Sequence, residues 1–121
     1  MPSLRTIAMP ADANPSGDIF GGWIMSQMDL AGAIHASYTV KGRLVTVAVN
    51  GIHFHLPVLI GDQVSCYCET RKVGTTSISV HIETWVRRRH QQRENLKVTE
   101  ACYTYVSIDD DRKPVPLERL G

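Results

Sequence analysis

Residues 21–38 read Gly-Gly-Trp-Ile-Met-Ser-Gln-Met-Asp-Leu-Ala-Gly-Ala-Ile-His-Ala-Ser-Tyr. A helix should start near Gly21 or Gly22 and run to about Tyr38, with Asp18 as candidate N-cap and Gly42 among the residues that end the segment. Ile24, Met25, Met28, Leu30, Ala31, Ala33, Ile34 and Ala36 fall all round this helix rather than on one stripe, which is the pattern of a buried helix. Gly22, Ser26, Asp29, Ala33 and Ala36 form one row at i, i+3 and i+4 spacings. The row is small except for Asp29, so another backbone or a ligand can approach it closely.

Two features of the segment bear on chemistry. Asp29 is a carboxylate at mid-helix, and a buried charge needs a partner or a wet cavity. Met25, Ser26, Gly32 and Ala33, one turn away on either side, include no cation. A structural carboxylate with a distant partner and a catalytic carboxylate in a cleft both remain open at this point. Gly21 and Gly22 stand where the first free amides of the helix point outward, at the positive end of its dipole. Such amides can hold a phosphate or polarise a carbonyl. The glycines can also serve merely to turn the chain into the helix.

Gly22 and Asp29 lie about 10 Å apart along a helix that rises 1.5 Å per residue. A reacting carbonyl needs its donors and its base within roughly 3–4 Å. One helix is therefore not expected to supply both. The spacing implies that one protomer contributes Asp29 and its neighbour the helix N-terminus, so that a dimer is the smallest active unit.

Before the helix, residues 4–9 alternate loosely as a first strand, and Pro10, Asp12, Asn14, Pro15, Ser16 and Gly17 make a loop dense in turn formers. After it come four strand-like runs, about 43–54, 62–73, 76–89 and 96–108. In the third, Ile78, Val80, Ile82 and Val86 share one face, and Ser77, Ser79, His81, Glu83 and Arg87 share the other. The breaks fall at 57–61, 73–75 and 89–95, and the stretch from Asp109 to Pro114 is a polar turn. One strand, one long helix and a run of strands joined by short turns describe an α+β chain with an antiparallel sheet around a single helix.

The 121 residues fit one domain, residues 1–121. Lys and Arg number 13 against 12 Asp and Glu, which gives no global pull toward nucleic acid or an anionic membrane. Cys66, Cys68 and Cys102 show no CxxC spacing and read as small buried thiols of a reducing compartment. No basic start with an apolar core and no run of about 18 apolar residues is present, so the chain is expected to be cytoplasmic and to make no membrane contact.

The run Ala8-Met9-Pro10, Asp12, Asn14 and then Gly17-Asp18-Ile19-Phe20-Gly21-Gly22-Trp23-Ile24-Met25-Ser26-Gln27-Met28-Asp29 closely resembles the YciA-type bacterial acyl-CoA thioesterases. The likeness continues through Gly32-Ala33-Ile34, Val45-Thr46-Val47, Pro57-Val58, Gly61-Asp62, Gly74-Thr75-Thr76-Ser77 and Thr99-Glu100-Ala101. The resemblance implies a hotdog fold, hydrolysis of acyl-CoA to free acid and CoA with broad acyl-chain tolerance, and neither metal nor cofactor. It implies a homo-oligomer, a trimer of dimers with sites at the dimer interface. It places the catalytic carboxylate at Asp29 and the thioester-polarising amides at Gly21 and Gly22, with Asn14 and Asp18 supporting the active-site loop. Ser16, and His53 and His55 on either side of Phe54, depart from the family pattern and are candidate determinants of acyl preference.

CoA carries a pyrophosphate and a 3′-phosphate, so basic side chains and free amides should lie near the site mouth. The expected CoA-binding residues are Lys72, Gly74, Thr75 and Thr76 in one turn, and Arg87 and Arg88 at the far end of the same hairpin. Those two ends can meet one CoA only if different protomers or adjacent strands bring them together. His53 and His55 lack a third metal ligand at suitable spacing. Glu100 is expected to pair across the sheet, and Ser26 and Ser77 lack a Gly-x-Ser-x-Gly setting. A non-catalytic acyl-CoA sensor and a 3-hydroxyacyl thioester dehydratase are the competing readings, and release of free thiol separates them from a hydrolase.

Overall fold

The structure, a computed structural model, describes residues 1–89 and 94–120. Its strands are β1 (Leu4–Ile7), β2 (Val40–Lys41), β3 (Arg43–Phe54), β4 (Gln63–Val73), β5 (Ser77–Arg87), β6 (Asn95–Ile108) and β7 (Glu118–Arg119). The helix α1 spans Gly21–Ser37, and a short 3-10 turn covers Pro10–Asp12. The larger sheet has the order β1-β4-β5-β6-β3 with every neighbouring pair antiparallel, while β2 and β7 form a separate two-stranded ribbon. The helix touches all five strands of the larger sheet, so the sheet curls round it as the α+β hotdog reading requires.

Alternation explains the packing. In β5, Ile78, Val80, Ile82, Thr84 and Val86 are buried, and the intervening residues through Trp85 are half-buried on the other face. The helix lays Ile24, Met28, Ala31, Gly32 and Ala36 into this curl. Gly32 is required there, because a Cβ would meet the Tyr105 hydroxyl at 2.1 Å and the Ile82 Cδ1 at 2.8 Å. Cys66 is buried in the core and Cys68 and Cys102 are half-buried, all three as free thiols. Burial pushes the Cys66 thiol up to about 11, which keeps it protonated and unreactive at neutral pH.

Three expectations are corrected. The helix is not buried all round: Gly22, Ser26, Leu30 and Ile34 are exposed on one face, with Leu30 at 54%. Asp18 is not its N-cap; Phe20 holds that position and makes no side-chain capping bond. The first strand stops at Ile7 because Pro10 starts the 3-10 turn. The stretch 109–114 turns as expected, and beyond it Glu118–Arg119 pairs with Val40–Lys41. The expected break at 89–95 lies partly outside the described residues.

Candidate active site

The loop before the helix is built by local polar bonds. The Asn14 Oδ1 accepts the amides of Ser16 at 2.9 Å and Asp18 at 3.1 Å, and the Asn14 amide donates to the Asp18 carbonyl at 2.7 Å. Gly17 takes φ +91° in this turn, a conformation that L side chains rarely adopt. The Phe20 amide then donates to the Asp12 carbonyl, and the Ile19 amide to the Val58 carbonyl. Asn14 and Asp18 are thus part of the frame that delivers the chain to the helix.

At the helix start, the amides of Trp23 and Ile24 bond back to the Phe20 carbonyl. The amides of Gly21 and Gly22 find no acceptor among the described residues. A Cβ at Gly22 would meet nothing within 4 Å, whereas one at Gly21 would touch the Phe54 ring at 3.3 Å. The aromatic ring therefore stands against Gly21, while the space beside Gly22 is open.

Asp29 is half-buried, and its carboxylate accepts a hydrogen bond from the Thr46 hydroxyl at 2.5 Å. Among the described residues no cation forms an ion pair with it. Thr46 stands on β3, whose pairing with β6 skips a residue between Thr46 and Ala48. The bulged residue, Val47, is 56% exposed. Such bulges re-aim side chains, and this one turns β3 next to the carboxylate. Behind Asp29, the Tyr105 hydroxyl donates to the Asp29 carbonyl at 2.9 Å, and the Tyr103 hydroxyl donates to the Met25 carbonyl at 2.9 Å. Burial, and then the Asp29 charge, hold both phenols above their ordinary range, so they stay protonated as donors.

Lys72, Gly74, Thr75 and Thr76 sit in or beside the β4–β5 turn, with Lys72 opposite Ser79. The C-terminal segment and the end of β6 clamp this turn, the Leu117 amide donating to the Thr75 carbonyl at 2.8 Å and the Ser107 amide to the Thr76 carbonyl at 2.9 Å. Arg87 is opposite Gln63, at the other end of the hairpin, as expected. Its Nε donates to the Asn95 side chain at 2.9 Å. Arg88 is engaged inside the protein: its guanidinium bonds to Asp62 and to the Pro57 carbonyl.

On the sheet face turned away from the helix, His81, Glu83 and Glu100 bring ligand atoms within 4.8 Å of one another. The Lys97 ammonium already sits between the two carboxylates, forming an ion pair with Glu100 and lying 3.7 Å from Glu83. That pairing with Lys97 holds the Glu100 carboxyl below its ordinary range. That pairing runs along β6; across the sheet, as the sequence suggested, Glu100 meets the His81 Nε2 of β5 at 3.2 Å. Thr46, Tyr103, Tyr105 and the partner of Arg88 were missed in the sequence. Only the tyrosines left a signal there, because buried phenols two residues apart on a core-facing strand need acceptors.

The sequence pattern of the Thioesterase superfamily matches residues 16–91. The chain belongs to this family. The chain matches individual relatives over nearly its whole length. It is 54% identical over 120 residues to the acyl-CoA thioester hydrolase YciA of Salmonella typhimurium, covering 98% of this chain and 90% of that one. A hexameric thioesterase from Yersinia pestis superposes with a TM-score of 0.89 at 50% identity, covering 98% of this chain and 95% of that one. A hexameric hotdog fold thioesterase of Campylobacter jejuni gives 0.88 at 46% identity, covering 97% and 90%. No helix among the described residues is long and apolar enough to cross a membrane.

Proposed function

We propose that this chain is an acyl-CoA thioester hydrolase in which Asp29 is the catalytic carboxylate and the free Gly21 and Gly22 amides of a neighbouring protomer polarise the thioester carbonyl. The observation that carries the reading is the state of Asp29. It is a half-buried carboxylate on a core helix, bound by one hydroxyl and by no described cation. A structural carboxylate would be neutralised; this one keeps acceptor capacity free. As a base it takes a proton from water, whose oxygen adds to the carbonyl carbon while the amides take the growing negative charge. Collapse of the adduct expels the CoA thiolate, which recovers a proton, and leaves the acid. As a nucleophile it would form an acyl anhydride that water then opens.

Assembly completes the site. Leu30 and Ile34 are exposed along the helix, and β3 ends the sheet with one edge unpaired. An open edge and an apolar helix face favour a second copy of the chain. Homo-oligomerisation to a hexamer accords with the assembly named for the relatives above. CoA would be held by Lys72, Gly74, Thr75 and Thr76 of one protomer and Arg87 of another, since the register puts these groups at opposite ends of one hairpin. Broad acyl tolerance accords with a hexameric relative, 45% identical, that is a broad specificity acyl-coenzyme A thioesterase. No cofactor enters the scheme, and a cytoplasmic setting accords with the free thiols. Thiol release from acyl-CoAs of several chain lengths tests the reading. A dehydratase or a sensor would bind acyl-CoA and release none.

A further inference from the structure

The helix N-terminus lacks the device that usually fixes one. Phe20 makes no side-chain cap, so the first turn is placed by the backbone bonds of the two residues before it. The Ile19 amide donates to the Val58 carbonyl at 2.9 Å, and an antiparallel bridge joins Asp18 to Leu59. The Phe20 amide donates to the Asp12 carbonyl at 3.0 Å.

Both supports lead to one ion pair. Asp62 is 1% exposed, and its Oδ2 accepts the Leu59 amide at 2.8 Å and the Arg88 Nη1 at 2.5 Å. The Arg88 Nη2 donates to the Pro57 carbonyl at 3.1 Å. One guanidinium thus grips both ends of the segment 57–62, which carries Val58 and Leu59. The Asp62 backbone also holds the other route. The Ala8 amide donates to the Asp62 carbonyl at 3.0 Å, and the Gly61 amide to the Ala8 carbonyl at 2.8 Å. Ala8 leads through Met9 and the 3-10 turn to Asp12. The Arg88 side chain is only 16% exposed, and two of its donors are used on these partners.

We propose that Arg88 is a positioning residue rather than a phosphate contact: with Asp62 it sets where the Gly21 and Gly22 amides stand. The inference rests on the hydrolase reading above, in which those amides polarise the carbonyl. An amide displaced by a fraction of an ångström stabilises the transition state less while leaving CoA affinity alone. A phosphate contact, made in ground and transition states alike, would do the reverse.

The test uses Arg88→Ala and Arg88→Lys in the full chain. Lysine keeps a cation beside Asp62 but loses the planar fork that reaches both acceptors. In Arg88→Ala kcat should fall about 10–100-fold with KM and CoA affinity within about twofold, and added methylguanidinium should restore part of the loss. Arg88→Lys should fall in the same direction, which keeps the test decisive if the alanine variant does not fold. Hydrogen exchange at the amides of residues 19–24 should quicken in both variants, and this readout does not depend on turnover. Wild type releasing no thiol would remove the hydrolase reading while the exchange result still judged the positioning role. Unchanged exchange with unchanged kcat, or a raised KM and weakened CoA binding at unchanged kcat, would overturn the proposal.

Discussion

The Thr46 hydroxyl donates to the Asp29 carboxylate at 2.5 Å, from a strand at the edge of the sheet to the middle of the helix it encloses. The bond fixes one carboxylate oxygen, and no second side-chain donor comes within full hydrogen-bond geometry of the carboxylate among the described residues. A general base or nucleophile needs one oxygen oriented and one available. The bulge at Val47 places the bond at a point where β3 departs from regular pairing.

Thr46→Val keeps the shape of the side chain and removes the donor. Hydrogen bonds to charged groups contribute about 1.5–3 kcal/mol, so kcat should drop roughly 10–100-fold if orientation of Asp29 is what the bond supplies. CoA affinity and assembly should be unchanged. Steady-state kinetics beside sedimentation would check this, and a fully active variant would show that Thr46 does not orient Asp29.

The two phenols make a pH-dependent contribution. Burial and the Asp29 charge raise both above the ordinary tyrosine value of about 10. A group raised on folding stabilises the fold fully below its unfolded value and loses that contribution as pH climbs through the folded one. Wild-type stability should therefore fall more steeply above about pH 10 than that of Tyr103→Phe/Tyr105→Phe. At pH 7 each Phe substitution should cost about 0.5–1.5 kcal/mol. Urea unfolding at fixed protein concentration across pH 7–11 measures both, and parallel curves would contradict the assignment.

Much of the fold was legible because its signals are local. The alternation in β5 and the glycines that open α1 located those elements to within a residue or two. The exposed helix face was not legible, because Leu30 and Ile34 at the surface are as apolar as the side chains that pack in the core. The Thr46–Asp29 bond joins residues 17 apart and Asp62–Arg88 joins residues 26 apart, separations at which no periodic pattern operates. Asp29 itself was marked by chemistry: a charge in an apolar segment with no cation within helical reach.

For CoA, Lys72→Ala and Arg87→Ala should each raise KM more than they lower kcat, because phosphate contacts are made before and during reaction. Calorimetry with free CoA gives the same answer without turnover. Wild-type affinity in both variants would move the phosphate site elsewhere.

Asp29→Asn tests the central claim most directly. Asparagine is nearly isosteric and neutral, and it can still accept the Thr46 bond, so folding and assembly should persist. In a thiol-release assay on acyl-CoA, kcat should fall by roughly two to four powers of ten, the range positioned proton transfer commonly supplies, with CoA affinity little changed. A single turnover in heavy-oxygen water would then bear on the role in wild type: label found in Asp29 identifies the anhydride route. An Asp29→Asn protein that folds, assembles and releases thiol at a near-normal rate would contradict the account and return Asp29 to a structural role.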